Sequence, residues 1–317
     1  MKDKRILLTG GAGFIGSNML DLLIADNEIT VVDNFSNVDR RYVEKYENNS
    51  NFSLHEGDLA SEVCYRGLGH FDVVIHLAAN SDVKNGSTDT SIDLRNNLEA
   101  TFKLLEFMRK EDIGQMLFSS TSAVYGEASV LPTPESYGPY MPISSYGASK
   151  MACEGFITAY SHYYGLRSSI FRFANIVGRN STHGVIYDFI RKLIRNSEEL
   201  EILGDGTQRK SYLHVSDCVR SMLHIHDRLK KTDIYNLGNL ETTGVKRIAE
   251  IVISEMGLKG IKMSYTGGFD GRGWKGDVKV AQLDISKMLA TGWKNRLNSD
   301  EAVIEATRET IKQMEVF

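Results

Sequence analysis

The apolar run Ile6-Leu7-Leu8 leads directly into Thr9-Gly10-Gly11-Ala12-Gly13-Phe14-Ile15-Gly16, and Ile15, Met19, Leu22 and Leu23 then follow helical spacing. A buried strand that turns through glycines into a helix constrains this chain more than any other feature. Similar short, bounded apolar runs recur at Ile29 to Val32, Phe52 to Leu54, Val73-Val74-Ile75 and Met116-Leu117-Phe118, with Leu98, Phe102 and Leu105 at helical spacing between the last two. Strands buried on both faces and joined by helical crossovers make a parallel sheet with right-handed connections. The expected fold is therefore α/β, a doubly wound parallel sheet over residues 1–175. A smaller C-terminal α/β lobe is expected over 176–317, with the chain returning to the first lobe around 212–238. Helices are expected at Val185–Arg195, Val215–Leu229, Gly244–Met256 and Ser299–Gln313, and a strand at Ile234–Leu237. All four prolines (Pro132, Pro134, Pro139, Pro142) fall in one short segment. Proline resists both helix and central strand, so a rigid surface loop is expected there.

Composition excludes several classes of protein. The chain has 317 residues, enough for two lobes, with 42% hydrophobic and 25% charged residues, which argues against disorder. Lys and Arg number 37 against 41 Asp and Glu, a net charge of −4, so no basic footprint for nucleic acid or anionic lipid is present. No run approaches the roughly 18 apolar residues of a membrane span. The apolar stretch after Met1–Arg5 breaks at Gly10-Gly11, so no signal peptide is expected. Cys64, Cys153 and Cys218 are too scattered for a disulfide framework, and no C-x-x-C pair suggests zinc. His76 and the pair His224/His226 lack a third ligand at metal spacing and read as structural, so no metal is expected. A cytoplasmic enzyme or binding protein is the reading that survives.

The glycine run satisfies G-x-G-x-x-G through Gly11, Gly13 and Gly16, with Gly10 in addition. Such a turn lets a backbone approach a pyrophosphate closely, and the helix N-terminus supplies N–H donors and a favourable dipole. Asp33 ends the second strand, where a carboxylate can accept hydrogen bonds from the adenosine ribose 2′-OH and would repel a 2′-phosphate. A Rossmann-type site for NAD, in preference to NADP, is expected.

Tyr146-Gly147-Ala148-Ser149-Lys150 sets a phenol and an ammonium four residues apart, on one face of a helix. A lysine nearby, together with the positive nicotinamide ring, favours the phenolate and would make Tyr146 a base at neutral pH. The stripe Ala152, Phe156, Tyr160 and Tyr163 supports a helix here and is expected in the core or at an interface. Ser119-Ser120-Thr121-Ser122 follows the fifth strand, at the edge where ligands bind in open α/β sheets; hydroxyls also cap turns.

Taken with Gly57-Asp58-Leu59, His76-Leu77-Ala78-Ala79 and Val124-Tyr125-Gly126, these motifs resemble the extended short-chain dehydrogenase/reductase family. Within it the chain is most similar to UDP-glucose (UDP-galactose) 4-epimerases, over essentially its whole length. The resemblance implies that Gly10, Gly11, Gly13, Phe14, Ile15, Gly16, Asp33 and Asn34 meet the cofactor. It puts Asp58 and Leu59 beside the adenine, Leu77, Ala78, Ala79 and Ser81 along the cofactor groove, and Asn96 near the nicotinamide end. Thr121, Tyr146 and Lys150 become the catalytic set, with Tyr146 and Lys150 also touching the cofactor. Asn175, Val185, Lys210, Tyr212, Arg272, Asp277 and Ala281, together with Thr121, become the UDP-sugar site. Two departures stand out. Lys210 replaces the usual diphosphate arginine, and Trp274 stands where a late arginine is expected, with Arg272 two residues earlier. Lysine cannot make a bidentate fork, so Arg209 or Arg272 is expected to compensate.

The family reaction this implies is oxidation of a sugar at C4 by NAD, rotation of the 4-keto sugar, and return of the hydride to its other face. Related 4,6-dehydratases carry acidic residues directly after the catalytic threonine; Ser122 and Ala123 cannot do that work. UDP-glucuronate decarboxylase is the alternative reaction, and a non-catalytic NAD-sensing protein is the alternative class. The resemblance also implies a homodimer through helices around Leu98–Met108 and Met151–Tyr163. Ala281 replaces a bulky tyrosine that restricts the sugar pocket, so N-acetylated sugars are expected to fit.

Overall fold

A computed structural model describes residues 1–80, 85–268, 270–274 and 277–315. The chain divides into two compact units. The first comprises Met1–Gly126, Gly138–Arg172 and Val219–Tyr235; the second comprises Glu127–Tyr137, Phe173–Cys218 and Asn236–Phe317.

In chain order the strands of the large sheet are β1 (Arg5–Thr9), β2 (Glu28–Asp33), β3 (Phe52–Glu56), β4 (Val73–His76), β5 (Gln115–Thr121) and β6 (Arg167–Phe173). The helices α1 (Phe14–Leu23), α2 (Arg41–Glu44), α3 (Ser91–Asp93), α4 (Ala100–Lys110) and α5 (Ser145–Tyr164) lie between them in sequence. Further along come β7 (Asn175–Val177), α6 (Val185–Arg195), β8 (Glu199–Ile202), β9 (Arg209–Lys210), β10 (Tyr212–His214) and α7 (Val215–His226). The chain ends with β11 (Asp233–Leu237), β12 (Thr243–Gly244), α8 (Val245–Glu255), β13 (Lys262–Tyr265), β14 (Val280–Ala281), α9 (Ser286–Leu289) and α10 (Ser299–Gln313).

The seven-stranded sheet runs β11-β6-β5-β4-β1-β2-β3, with every pairing from β3 across to β5 parallel. Strand order reverses at β1, so the carboxyl ends of β1 and β4 form the switch point at which open α/β sheets take ligands. The doubly wound α/β fold expected from the sequence is present. Its strands lack alternation because both faces are covered: Leu7, Val74, Phe118, Leu104, Cys153, Ile157 and Ile170 share one core.

The second unit has its own core of Ile186, Phe189, Ile190, Leu200, Ile202, Ile248, Val252, Ala302 and Val303. Helix α10 starts where the sequence places it because Asn298 and Glu301 form a reciprocal capping box, each side chain accepting from the other's backbone N–H at 3.0 and 2.8 Å. The proline segment is a loop with Pro132 and Pro139 exposed, as expected, but one residue within it is buried. Thr133 is 2% exposed, donates its N–H to Gln282, and accepts from Asp284 N–H and from the Asn236 amide. A proline-rich stretch can still bury one residue whose backbone finds strand-like partners. No described helix is long and apolar enough to cross a membrane.

Candidate active site

Thr9 ends β1 and Gly10 turns the chain at φ +69, with a Cβ there meeting the Ala78 amide nitrogen at 2.6 Å. Only glycine allows this approach between the β1 and β4 termini. Leu77, Ala78 and Ala79 consequently line up beside the turn, each half-buried. A Cβ at Gly16 would lie 2.1 Å from the Gly10 carbonyl oxygen, so α1 can pack on the turn only with glycine there. Gly13 caps α1 with extended ψ and no side-chain cap, and the first amides of such a helix end, at Phe14 and Ile15, are the donors an anion can use. Asp33 is 9% exposed and accepts from the Ala12 N–H at 3.1 Å and the Phe35 N–H at 3.0 Å. Burial raises its pKa, with those backbone bonds pulling it down. The carboxylate thus clamps the turn and retains lone pairs for a ribose hydroxyl. Exposed Asn34 closes the next turn through Ser36 N–H. Asp58 accepts from Ala60 N–H and pairs with Arg95 at 2.5 Å, while Leu59 is buried beside it. Ser81 lies outside the described residues.

Helix α5 is capped at its start by Ser144, whose hydroxyl accepts the Gly147 N–H at 3.1 Å, and at its end by Gly165 in the left-handed conformation. That start places Tyr146 in the first turn, and Lys150 one turn later on the same face. Thr121, the last residue of β5, hydrogen-bonds Tyr146 and accepts the Ala123 N–H at 3.1 Å. Lys150 is 2% exposed; its ammonium donates to the Ser119 carbonyl at 2.8 Å and lies 4.8 Å from the Phe118 ring centre. Desolvation lowers Lys150 to about 8, while Cys153, Glu154 and Asp93 pull it back up. Tyr146 as a residue is only half-buried, yet desolvation of its hydroxyl pushes it up to about 12, against the Thr121 hydrogen bond. In the chain by itself burial sets the direction, and Lys150 is not among the groups that move Tyr146. Of the expected apolar stripe on α5 only Tyr160 is buried; Phe156 and Tyr163 face outward, and Cys153 and Ile157 form the core-facing edge.

In the second unit Lys210 donates to the Asp277 carboxylate at 2.6 Å, and its ammonium lies 5.6 Å from the Trp274 ring centre. Asp277 is 4% exposed; its other oxygen accepts from Gly273 N–H at 3.3 Å and its carbonyl accepts from Arg272 at 2.9 Å. Arg272 also pairs with Glu127 at 2.5 Å. Arg209 instead points to Thr242. Ala281 is the register partner of Lys210 across β14 and β9, and is half-buried. Asn175 donates to the Ser211 carbonyl at 3.4 Å and pairs in register with Tyr212, whose hydroxyl burial pushes up, with Asp277 adding to the shift. Val185 opens α6. These seven residues are thus all described, and Lys210, Arg272 and Asp277 form one cluster.

The model of a family described as NAD dependent epimerase/dehydratase matches residues 6–238. The chain belongs to that family. A protein of Methanocaldococcus jannaschii provisionally named UDP-glucose 4-epimerase is 33% identical, over 94% of this chain and 95% of its own length. UDP-glucuronic acid decarboxylase 1 of Xenopus tropicalis is 28% identical, over 98% of this chain and 73% of that protein. A solved UDP-galactose 4-epimerase superposes with TM-score 0.87 at 39% identity, covering 98% and 99% of the two chains. The UDP-N-acetylglucosamine 4-epimerase of Methanobrevibacter ruminantium M1, solved with UDP-N-acetylmuramic acid, gives TM-score 0.88 at 30% identity, covering 99% and 100%. NAD is the cofactor of this family, and the glycine turn, the uncapped α1 amides and the clamped Asp33 fit a dinucleotide.

Behind the epimerase/dehydratase residues lie supports that sequence reasoning missed. Arg172, 1% exposed in β6, donates to both Glu154 oxygens at 3.0 and 2.6 Å and to the Tyr125 and Tyr140 hydroxyls. Ser120, next to Thr121, also donates to Glu154. Two signals could have found this pair: Glu154 repeats the four-residue step from Lys150, and Arg172 interrupts the apolar run Ile170-Phe171. Asn97, 1% exposed in the π-turn Leu94–Glu99, donates to Ser149 at 2.9 Å and accepts from Asn80 N–H at 2.8 Å, whereas Asn96 beside it is half-buried. Asp93 accepts from Asn80 and from Ser145. His76 sits between the Thr9 and Thr101 hydroxyls at 2.7 and 3.0 Å and is lowered to about 3 by burial and the Lys150 charge, so it is neutral. Among the described residues no three His, Cys, Asp or Glu side chains gather as a metal site.

Proposed function

We propose that the protein is an NAD-dependent 4-epimerase of UDP-hexoses, working through a transient 4-keto sugar. The observation that carries this reading is the Thr121–Tyr146 hydrogen bond, with Lys150 one turn along the same helix face and no acid at Ser122 or Ala123. The first unit binds the dinucleotide through residues 10–16, Asp33, Asn34, Asp58, Leu59, Leu77 to Ala79 and Asn96, and the second binds the nucleotide sugar. Bound NAD supplies a reversible hydride acceptor and a positive charge. Tyr146 accepts the proton of the sugar 4-OH, Thr121 shares that hydrogen bond, and Lys150 steadies the phenolate. A phenol pushed up to about 12 in the chain alone is not yet a base; cationic charge beside it brings its pKa down. Asp277 holds the uridine ribose, while Lys210, Arg272 and Asn175 meet the diphosphate. Ala281 leaves room for an acetamido group.

Phe102 and Phe156 pack edge-to-face at 5.7 Å while both remain about 40% exposed, and Tyr163 is 77% exposed. A homodimer through α4 and α5 covers these rings.

Incubating the purified protein with UDP-glucose, UDP-galactose or UDP-N-acetylglucosamine, without added reductant, should yield each 4-epimer by NMR. Ala281→Tyr should suppress turnover of the acetylated sugar alone. Carbon dioxide release from UDP-glucuronate with no epimerisation would establish the decarboxylase reading instead.

A further inference from the structure

Asp33 ends β2 and Glu56 ends β3, and the two are register partners across the parallel pair. Two acidic residues therefore leave the same edge of the sheet, where the adenosine ribose is expected, from neighbouring strands whose backbones lie about one strand spacing (~4.8 Å) apart. After Asp33 the chain turns through Phe35, at φ +52, and returns as the short segment that leads into α2. The return brings the Arg40 guanidinium 4.5 Å from the Phe35 ring centre, with its terminal nitrogen donating to Glu56. The neighbouring Arg41 is occupied elsewhere, pairing with Asp39 at 3.2 Å.

A guanidinium stacked on an aromatic ring is oriented, planar and well matched to a phosphate. Arg40 thus has the form of a 2′-phosphate ligand, placed one turn away from the carboxylate that would exclude that phosphate. Its charge is cancelled by Glu56. The Arg40 and Glu56 side chains are 43% and 60% exposed, so the bond between them is weak and easily exchanged. What persists is the local charge: Asp33, Glu56 and Arg40 sum to one negative charge, which an incoming phosphate dianion must face.

We propose that selection of NAD over NADP in this chain rests on two carboxylates, Asp33 and Glu56, and that Arg40 is a preformed phosphate ligand kept neutralised by Glu56. Asp33 excludes the 2′-phosphate directly and holds the turn, whereas Glu56 sets the charge of the surface around it.

The test is a partition experiment with the purified protein. It is exchanged against equimolar NAD and NADP at low salt, the bound nucleotide is released with acid, and the NADP-to-NAD ratio is measured by chromatography. Glu56→Gln should raise that ratio on the order of tenfold. Asp33→Ser/Glu56→Gln should raise it further, above Asp33→Ser alone. Adding Arg40→Ala should remove the part contributed by Glu56→Gln in either background. The gain should shrink with added salt, because the groups are exposed. An unchanged ratio in Glu56→Gln, or a gain that survives Arg40→Ala, overturns the proposal while the NAD assignment stands. Retention of neither dinucleotide by the unaltered chain overturns both.

Discussion

Each unit of the molecule encloses one lysine that the proposed chemistry requires, and the two are held in opposite ways. In the first unit Lys150 is 2% exposed and its ammonium donates to a neutral carbonyl, that of Ser119. In the second, Lys210 donates to the carboxylate of Asp277, itself 4% exposed. Desolvation dominates at Lys150 and lowers its pKa to about 8. The first arrangement costs stability and leaves a cation available to act on something else. The second satisfies both charges internally, so any anion that takes Lys210 must compete with Asp277. Catalytic groups are kept under tension with their surroundings, while binding groups are stored in self-complementary form.

The largest effect belongs to the first unit. Tyr146→Phe keeps the ring and removes the proton acceptor, so turnover should fall by roughly 10²–10⁴-fold. Circular dichroism and melting temperature should be little changed, since the Tyr146 hydroxyl is already poorly solvated. Near-normal turnover in that variant would move the base elsewhere and dissolve the contrast between the lysines, because Lys150 would then have no phenolate to serve.

Substituting the lysines themselves breaks the comparison more directly. Lys210→Met strands a buried carboxylate that, among the described residues, keeps the Gly273 N–H at 3.3 Å, and should cost about 1–3 kcal/mol of stability. Lys150→Met replaces a desolvated cation by an apolar chain of similar length, and should raise stability by on the order of 1 kcal/mol while abolishing turnover. Urea unfolding of both variants gives the signs. Destabilisation of equal size at the two positions would show that Lys150 is as well paired as Lys210.

The same division governs how much could be read from the sequence. The glycine turn, Asp33 and the Tyr146–Lys150 step are local, each set by backbone geometry or helical spacing within a few residues. Periodicity likewise located α6 and α10, because one face of each is buried in a continuous core. The supports were not legible because their partners are remote in sequence: Glu154 meets Arg172 and Ser120, Asn97 meets Ser149 and Asn80, and Lys210 meets Asp277 across 67 residues. Periodicity alone also does not separate the core-facing from the outer face of α5, since Phe156 and Tyr163 satisfy helical spacing yet point away from the core. The phenol of Tyr146 shows a third limit. A nearby lysine suggests a lowered pKa, but the sign depends on how much water the fold removes, which no spacing encodes.

The finest test of the contrast is a pH dependence of stability. Lys150 has a pKa of about 8 in the folded chain against an ordinary 10.5. Between those values the unfolded chain holds a proton that the folded chain lacks, so stability from this group rises with pH across that window. Well below pH 8 both states are protonated and the group contributes no slope. Other buried groups titrate in the same range: burial raises Cys64, Tyr65 and Cys153, and each of these pulls stability the other way as pH increases. The Lys150 contribution must therefore be read as a difference, unaltered protein minus Lys150→Met, in which Cys64 and Tyr65 cancel to first order, while Cys153 does not because the Lys150 charge acts on it. Moving from pH 8 to pH 9 should shift that difference by about 1 kcal/mol in favour of the unaltered protein. A flat Lys150 difference would mean that the ammonium is solvated or paired well enough to hold its proton, and the two lysines would then be held alike.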